Sequence, residues 1–248
     1  VGNVKKQKKK IDFWTQKEFE KVISTFDISD YYEHYTFIII WLLFMTGLRL
    51  GEAQALEWTD INFEDKTLTV SKSMYYKSAN EFYVTEPKTR AGNRTIALDD
   101  VTISYLAEWK SVQGRNVVSK YVLSYNGLPT NKSTTKHIIE RHSKLAGVHN
   151  IKTHALRHSH ASLLISLGEN AIVVRDRLGH EDVETTLGTY GHLYPNTNKE
   201  VAKKLNNLIS VQKDDTIKRN FISNQFVKNR QSGCNNISLD CEEKEWDS

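Results

Sequence analysis

The chain has 248 residues, of which 39% are hydrophobic and 26% charged, and its net charge is +4. That balance excludes collagen, coiled-coil and wholly disordered classes and allows one large domain with appendages. The longest apolar run, Phe37 to Met45, has 9 residues, against roughly 20 for a membrane span.

Charge is unevenly spread. Residues 1–10 carry five lysines and no acid, whereas residues 235–248 carry five acids and one lysine. A basic entry arm suits a polyanion, although a solvated linker has the same composition. The chain starts at Val1, as expected of a piece of a longer protein, and shows no secretory signal pattern. Its two cysteines, Cys234 and Cys241, build neither a disulfide framework nor a zinc site, and they fit a reducing compartment.

Residues 1–11 read as an arm. Thr15 and Glu18 form a capping-box pattern, so a helix is expected from Gln16 to about Thr25. Tyr31 to Thr46 is apolar nearly all round, which predicts a buried helix ended by Gly47. Arg49 to Trp58 reads as a short helix. The period then changes. Thr67–Ser73, Glu81–Glu86 and Asn93–Leu98 are rich in Thr, Val, Ile and Tyr and predict strands of a small antiparallel sheet, with Pro87–Gly92 turning between the last two. Asp99 or Asp100 caps a helix to about Val112, and a short strand is expected at Tyr121–Ser124 before an Asn126-Gly127 turn. Further helices are expected from Ser133 or Thr134 to near Gly147, from His154 to Leu167, at Ala171–Leu178 and at Asp182–Tyr190. Asn196 or Thr197 caps a last helix to about Ser210. The fold class is therefore mainly α with a small antiparallel β-sheet. The expected division is an arm over 1–11, a domain over 12–210 and a polar tail over 211–248, weakly ordered or partner-dependent.

Four segments concentrate unusual residues. In the first, Arg49 and Glu52 are three apart on a helix start and share a face; such a pair is more often structural than functional. The second, Glu86 to Arg94, holds Lys88, read as the tip of a hairpin, with Arg90 and Arg94 beside it. A hairpin lysine is usually an edge guard, but it can also donate a proton in a cleft, because its pKa falls readily on desolvation. The third places His154 and Arg157 on one helix face, a pairing suited to phosphate. His154 and His158 also have the i, i+4 spacing of a zinc pair, yet Ala155 stands where a metalloprotease has glutamate. The fourth runs from Leu178-Gly179-His180 to Tyr190-Gly191-His192. A tyrosine at a helix end is most often packing, but it can be a covalent nucleophile where cations or a base activate it.

Each segment alone is a weak signal. In order they give Arg49, Lys88, His154, Arg157, His180 and Tyr190, and on these residues the chain resembles the catalytic domain of the tyrosine recombinases, the phage integrase family. The Thr-Gly-Leu-Arg-Leu-Gly-Glu segment and the spacing from Leu-Gly-His to Tyr match as well, and the resemblance spans Ile11 to Leu208. The residues around Tyr190 and the basic arm look most like integrases of Gram-positive phages and integrative elements.

The resemblance implies the catalytic-domain fold of that family and a site-specific recombinase that cuts and rejoins DNA without metal, ATP or other cofactor. Fixed cations would stabilise the charge that grows on the phosphate. It implies that Arg49 and Arg157 clamp the non-bridging oxygens, that His154 and His180 add hydrogen bonds and proton transfer, that Tyr190 attacks to form a 3′-phosphotyrosyl bond, and that Lys88 protonates the leaving 5′-oxygen. Glu52 would orient Arg49, and His158 would support the fold by bonding to backbone. Lys5, Lys6, Lys8, Lys9, Lys10, Arg90 and Arg94 are assigned to DNA contacts. Implied partners are duplex DNA at attachment sites, three further copies in a tetramer on synapsed DNA, a directionality factor and a host DNA-bending protein; no membrane is implied, and the place of action is the cytoplasm of a bacterial host. A type IB topoisomerase, a chromosome-dimer resolvase and a catalytically inactive DNA-binding relative are the alternatives.

Overall fold

The computed structural model describes residues 11–77, 81–87, 89–195 and 198–206. The chain divides into one unit ending at Pro195 and a second beginning at Asn196.

In the first unit six of the helices start where a short polar side chain accepts an orphan backbone N–H group. Helix α1 (Gln16–Ile23) has the capping box of Thr15 and Glu18. Helix α2 (Tyr31–Thr46) is capped by Asp30, which accepts from the Glu33 N–H at 2.9 Å. It is the hub of the core: Phe37 through Ile40 and Leu42 through Phe44 are all buried, and α3 (Leu50–Ala55), α4 (Asp100–Asn116), α5 (Lys132–Leu145) and α6 (Ala155–Ser166) pack around it. That surround explains a sequence with no polar face. A second, smaller core joins α6 to α7 (Ala171–Leu178) and α8 (Val183–Tyr190) through Ala161, Ile165, Val174, Leu178 and Tyr190. The second unit holds α9 (Asn198–Leu205); the expected continuation to Ser210 and the tail lie outside the described residues.

The β structure differs from the expected single sheet. Strands β1 (Ile61–Asn62), β2 (Thr67–Val70) and β5 (Arg94–Ala97) form one antiparallel sheet in the order β1-β2-β5. Leu68 sits opposite both Ile61 and Ile96, which gives that face its apolar contact. Strands β3 (Ser73–Tyr76) and β4 (Phe82–Thr85) form a separate hairpin. The expected strand Thr67–Ser73 is therefore broken at Ser71-Lys72. Lys72 pins the corner by reaching Glu57 at 3.0 Å and Asp60 at 3.1 Å. Pro87–Gly92 is accordingly a connection between two sheets and not the tip of a hairpin, and it contains a 3-10 turn at Arg90–Gly92. Tyr121–Ser124 makes isolated bridges to Glu57 and Pro129 instead of a strand. Asn131, not Ser133 or Thr134, caps α5.

Gly47 ends α2 in the left-handed region, at φ 66°. A Cβ there would lie 2.6 Å from His160 Cδ2 and 2.8 Å from Leu178 Cδ2, so the position needs glycine on both counts. Gly47→Ala is expected to lower the unfolding free energy by more than ~2 kcal/mol, since left-handed backbone alone costs about 1–2 kcal/mol. Urea denaturation measures it; a loss under about 0.5 kcal/mol would contradict the packing described.

Candidate active site

The C-terminal ends of α2 and α7 meet, and their last carbonyl groups have no helical partners. Arginines fill that need. Arg157, on the first turn of α6 and 2% exposed, donates from Nη1 to Gly47 O at 2.7 Å and from Nη2 to Leu178 O at 2.6 Å. Arg49, just before α3, donates to Gly179 O at 3.3 Å. Arg94 Nε donates to Arg177 O at 2.9 Å, and Arg177 Nη2 donates to Met45 O at 3.3 Å. The negative ends of two helix dipoles thus hold four guanidinium groups together.

Glu52 is the carboxylate among them. It accepts from the Arg49 N–H at 3.0 Å, from Arg49 Nη1 at 2.8 Å and from Arg94 Nη2 at 2.8 Å. Burial would raise its carboxyl, but the bonds and charges of Arg94 and Arg49 outweigh that and hold it below the usual carboxylate range. Arg49 keeps 42% of its side chain exposed. It therefore offers guanidinium N–H groups to a cavity of about 370 Å³ whose walls include Arg49, Ser73, Tyr75, Pro87 and Thr89. Arg157 is pushed down to about 9 by burial first and then by Arg49, which leaves it cationic at neutral pH.

Three histidines lie around the arginines. His154, the residue before α6, packs edge-on to His158 with ring centroids 4.9 Å apart. Burial, then Arg157 and Arg49, lower its pKa. His180 follows Gly179 and hydrogen-bonds through Nδ1 to Thr186 Oγ1 at 2.8 Å. Burial, then Arg157, Arg49 and Arg94, push it down to about 4, so it is neutral at pH 7. His158 places Nδ1 2.8 Å from the hydroxyl of Tyr190, the last residue of α8. Tyr190 is 1% exposed, and burial lifts its hydroxyl to about 12 against the opposing pull of Arg157 and Arg49.

Arg49, His154, Arg157, His180 and Tyr190 are thus brought to one place, and Glu52 bonds Arg49 as expected. Two expectations change. His158 bonds to the Tyr190 hydroxyl, not to backbone. Arg94 is not a surface DNA contact: its side chain is 7% exposed, and Glu52, Gly92 O and Arg177 O take its donors. Arg90 is exposed, as a DNA contact would be. Lys88, Lys5, Lys6, Lys8, Lys9 and Lys10 lie outside the described residues. Sequence reasoning missed Arg177 and His160. Arg177 Nε donates to the buried His160 Nε2 at 3.0 Å, tying α7 to α6 behind the site. The available signal was a basic residue in the last turn before a C-cap glycine. Among the described residues, no group of three His, Cys, Asp or Glu side chains is placed to hold a metal ion, and no helix is long and apolar enough to cross a membrane.

Glu52→Gln leaves Arg94 buried beside a neutral amide and is expected to cost about 3 kcal/mol. The folded pKa of Glu52 lies below its unfolded value of 4.5. Its contribution is therefore full above pH 4.5 and is lost as the pH falls through the folded value. Part of the acid destabilisation of the unaltered chain below pH 4.5 should accordingly be missing in Glu52→Gln. Parallel stability-against-pH curves for the two chains would contradict this role.

A model described as the phage integrase family matches residues 12–197. The ICEBs1 integrase of Bacillus subtilis is 37% identical over 210 residues, which is 82% of this chain and 56% of that protein. The integrase of Staphylococcus phage L54a is 28% identical over 178 residues, 66% of this chain and 50% of that one. The chain therefore spans about half the length of the curated relatives it matches. Among solved structures, the Tn1549 transposon integrase in complex with transposon right end DNA superposes with a TM-score of 0.68 at 20% identity, covering 84% of this chain and 69% of that one. XerA recombinase gives 0.60 at 21% identity over 78% and 64%. These likenesses carry the mainly α fold with its small antiparallel sheets, and the match over residues 12–197 places the chain in the phage integrase family, the tyrosine recombinases.

Proposed function

We propose that this chain is the catalytic part of an integrase that cuts and rejoins duplex DNA at specific sites through a 3′-phosphotyrosyl intermediate. The observation that carries the reading is a tyrosine hydroxyl held within the same cluster as Arg49 and Arg157, whose cationic groups outnumber the one carboxylate bonded to them. Such a cluster suits a phosphodiester whose oxygens gain charge as it becomes pentacoordinate. Arg157 and Arg49 bind the non-bridging oxygens, His154 and His180 hydrogen-bond to the phosphate, and Tyr190 attacks. Lys88, which the sequence puts between two residues lining the cavity beside Arg49, protonates the leaving 5′-oxygen. Bond energy is kept in the tyrosyl ester, so neither nucleotide nor metal is needed. Relatives named as integrases and as transposases of Tn554 and Tn916 favour movement of a mobile element over relaxation of a single duplex. On this reading four copies act on two paired sites in a bacterial cytoplasm, and the basic arm with Lys5, Lys6, Lys8, Lys9 and Lys10 neutralises backbone phosphates together with Arg90.

Tyr190→Phe is expected to bind DNA as the unaltered chain does and to form no covalent adduct. Nicked duplexes tiling the DNA on either side of the coding sequence, resolved on denaturing gels, read this out. An adduct that persists in the Phe variant rules Tyr190 out as nucleophile.

Lys88→Ala is expected to slow cleavage of ordinary DNA by ~10²–10⁴-fold, the usual size of general acid catalysis. A bridging 5′-sulfur leaves without a proton and should rescue it, whereas Arg157→Ala should stay impaired. Equal defects of Lys88→Ala on oxygen and sulfur leaving groups would move the acid role to another residue.

A further inference from the structure

We propose that His158 is the general base that takes the phenolic proton of Tyr190 during strand cleavage. The proposal rests on the reading of Tyr190 as the nucleophile. Its ground is geometric. Of the histidines around the arginines, His158 is the one with a ring nitrogen on the tyrosine hydroxyl, Nδ1 to Oη at 2.8 Å. His180 spends its Nδ1 on Thr186, and His154 meets His158 edge-on without a hydrogen bond to Tyr190. Among the described residues, neither Tyr190 Oη nor the His158 ring has any other hydrogen-bond partner.

The contact has the right protonation on both sides. A tyrosine that keeps its proton donates to a neutral imidazole through an unprotonated Nδ1. Burial, then His154 and Arg157, push His158 down to about 4, so its ring is neutral and can accept. The groups around this contact are His154 just before α6, Arg157 on α6 and Tyr190 on α8, with Arg49 acting on Tyr190 from the start of α3. None is an acid that would hold the imidazole charged beforehand.

The step balances as follows. The Oη–phosphorus bond forms, the bond from phosphorus to the 5′-oxygen breaks, the phenolic proton moves to His158 Nδ1, and the leaving oxygen takes its proton from the acid assigned to Lys88. At rest the transfer is strongly uphill, since the phenol binds its proton far more tightly than the imidazole. It becomes feasible together with the attack, because the phenolic oxygen loses basicity as its bond to phosphorus forms, and the arriving phosphate's charge favours the imidazolium. In rejoining, the imidazolium returns the proton to the departing tyrosine.

Single-turnover adduct formation is measured on the same tiled nicked duplexes for the unaltered chain and for His158→Gln, which can hold a hydrogen bond but cannot take a proton. The Gln variant is expected to be slower by ~10²–10⁴-fold. Its rate should climb with pH as hydroxide supplies the missing base, and a fluorinated tyrosine of lowered phenol pKa at position 190 should restore much of the loss. A merely structural role predicts one defect, equal at every pH and with either tyrosine; that outcome, or no defect, overturns the proposal. Failure of the unaltered chain to form any adduct overturns the nucleophile reading and this one with it. If His158→Gln does not fold, the ¹⁵N shift of His158 Nδ1 in the unaltered chain decides: an unprotonated Nδ1 supports the base, and a protonated Nδ1 donating to Tyr190 overturns it.

Discussion

Everything at the candidate site depends on two helix ends that stop against each other. A helix leaves its last carbonyls without partners, and burying such groups unmade is costly. At the ends of α2 and α7, guanidinium groups supply the donors: Arg177 on Met45 O, Arg157 on Gly47 O and Leu178 O, Arg94 on Arg177 O and Arg49 on Gly179 O. Arginine suits this task because it stays charged when buried and presents several N–H groups in one plane. Both helices can stop there because Gly47 and Gly179 take left-handed backbone, at φ 66° and 67°. Neither tolerates a side chain; at Gly179 a Cβ would lie 2.7 Å from Ala91 O and 2.8 Å from Arg94 Nη1.

Glu52 extends this junction to the β structure. By bonding Arg49 on one side and Arg94 on the other, it ties α3 to β5 across the same cluster. The hairpin of β3 and β4 is braced against α3, where a Cβ on Gly51 would come within 2.6 Å of Ser73 Oγ. The cavity beside Arg49 is walled by that hairpin and by the connection leaving β4. Its shape follows from α3 standing between a helix junction and a hairpin.

The helices were largely legible in the sequence, because caps and period are local. Thr15, Asp30, Asp99, Asn170 and Asp182 each accept a backbone N–H at a helix start. The sheet was less legible. Nothing local in Thr67–Ser73 says that Val70 ends one sheet and Ser73 starts another; the break is set by Lys72 meeting Glu57 and Asp60. At the site, the residues with a family pattern could be named from sequence order, but Arg94 could not be told from a surface arginine. Its burial follows from Glu52 and Arg177, which are 42 and 83 positions away along the chain. The partner of His158 was equally hidden, since 32 positions and the whole of α7 separate it from Tyr190.

The same junction explains how so many cationic groups are held close together and why the site favours an anion. Helix-end carbonyls are dipoles, not charges. They satisfy the guanidinium hydrogens and soften the mutual repulsion of Arg49, Arg94, Arg157 and Arg177 without cancelling their charge. One bonded carboxylate, Glu52, neutralises only part of it. Burial first, and then the neighbouring cationic side chains, lowers the pKa of His154, His158 and His180; His158 and His180, pushed down to about 4, are neutral and add no further repulsion. The remaining field also draws the Tyr190 hydroxyl downward, though burial prevails and the tyrosine keeps its proton. A bound phosphodiester would change each of these balances at once. It would supply the missing negative charge, raise the proton affinity of the nearby imidazoles and give the phenolic oxygen an electrophile. On the proposed reading, the resting Tyr190 is unreactive for the reason that the occupied site would be reactive: the cations around it are fixed in advance by backbone, and their charge is left for a phosphodiester to complete.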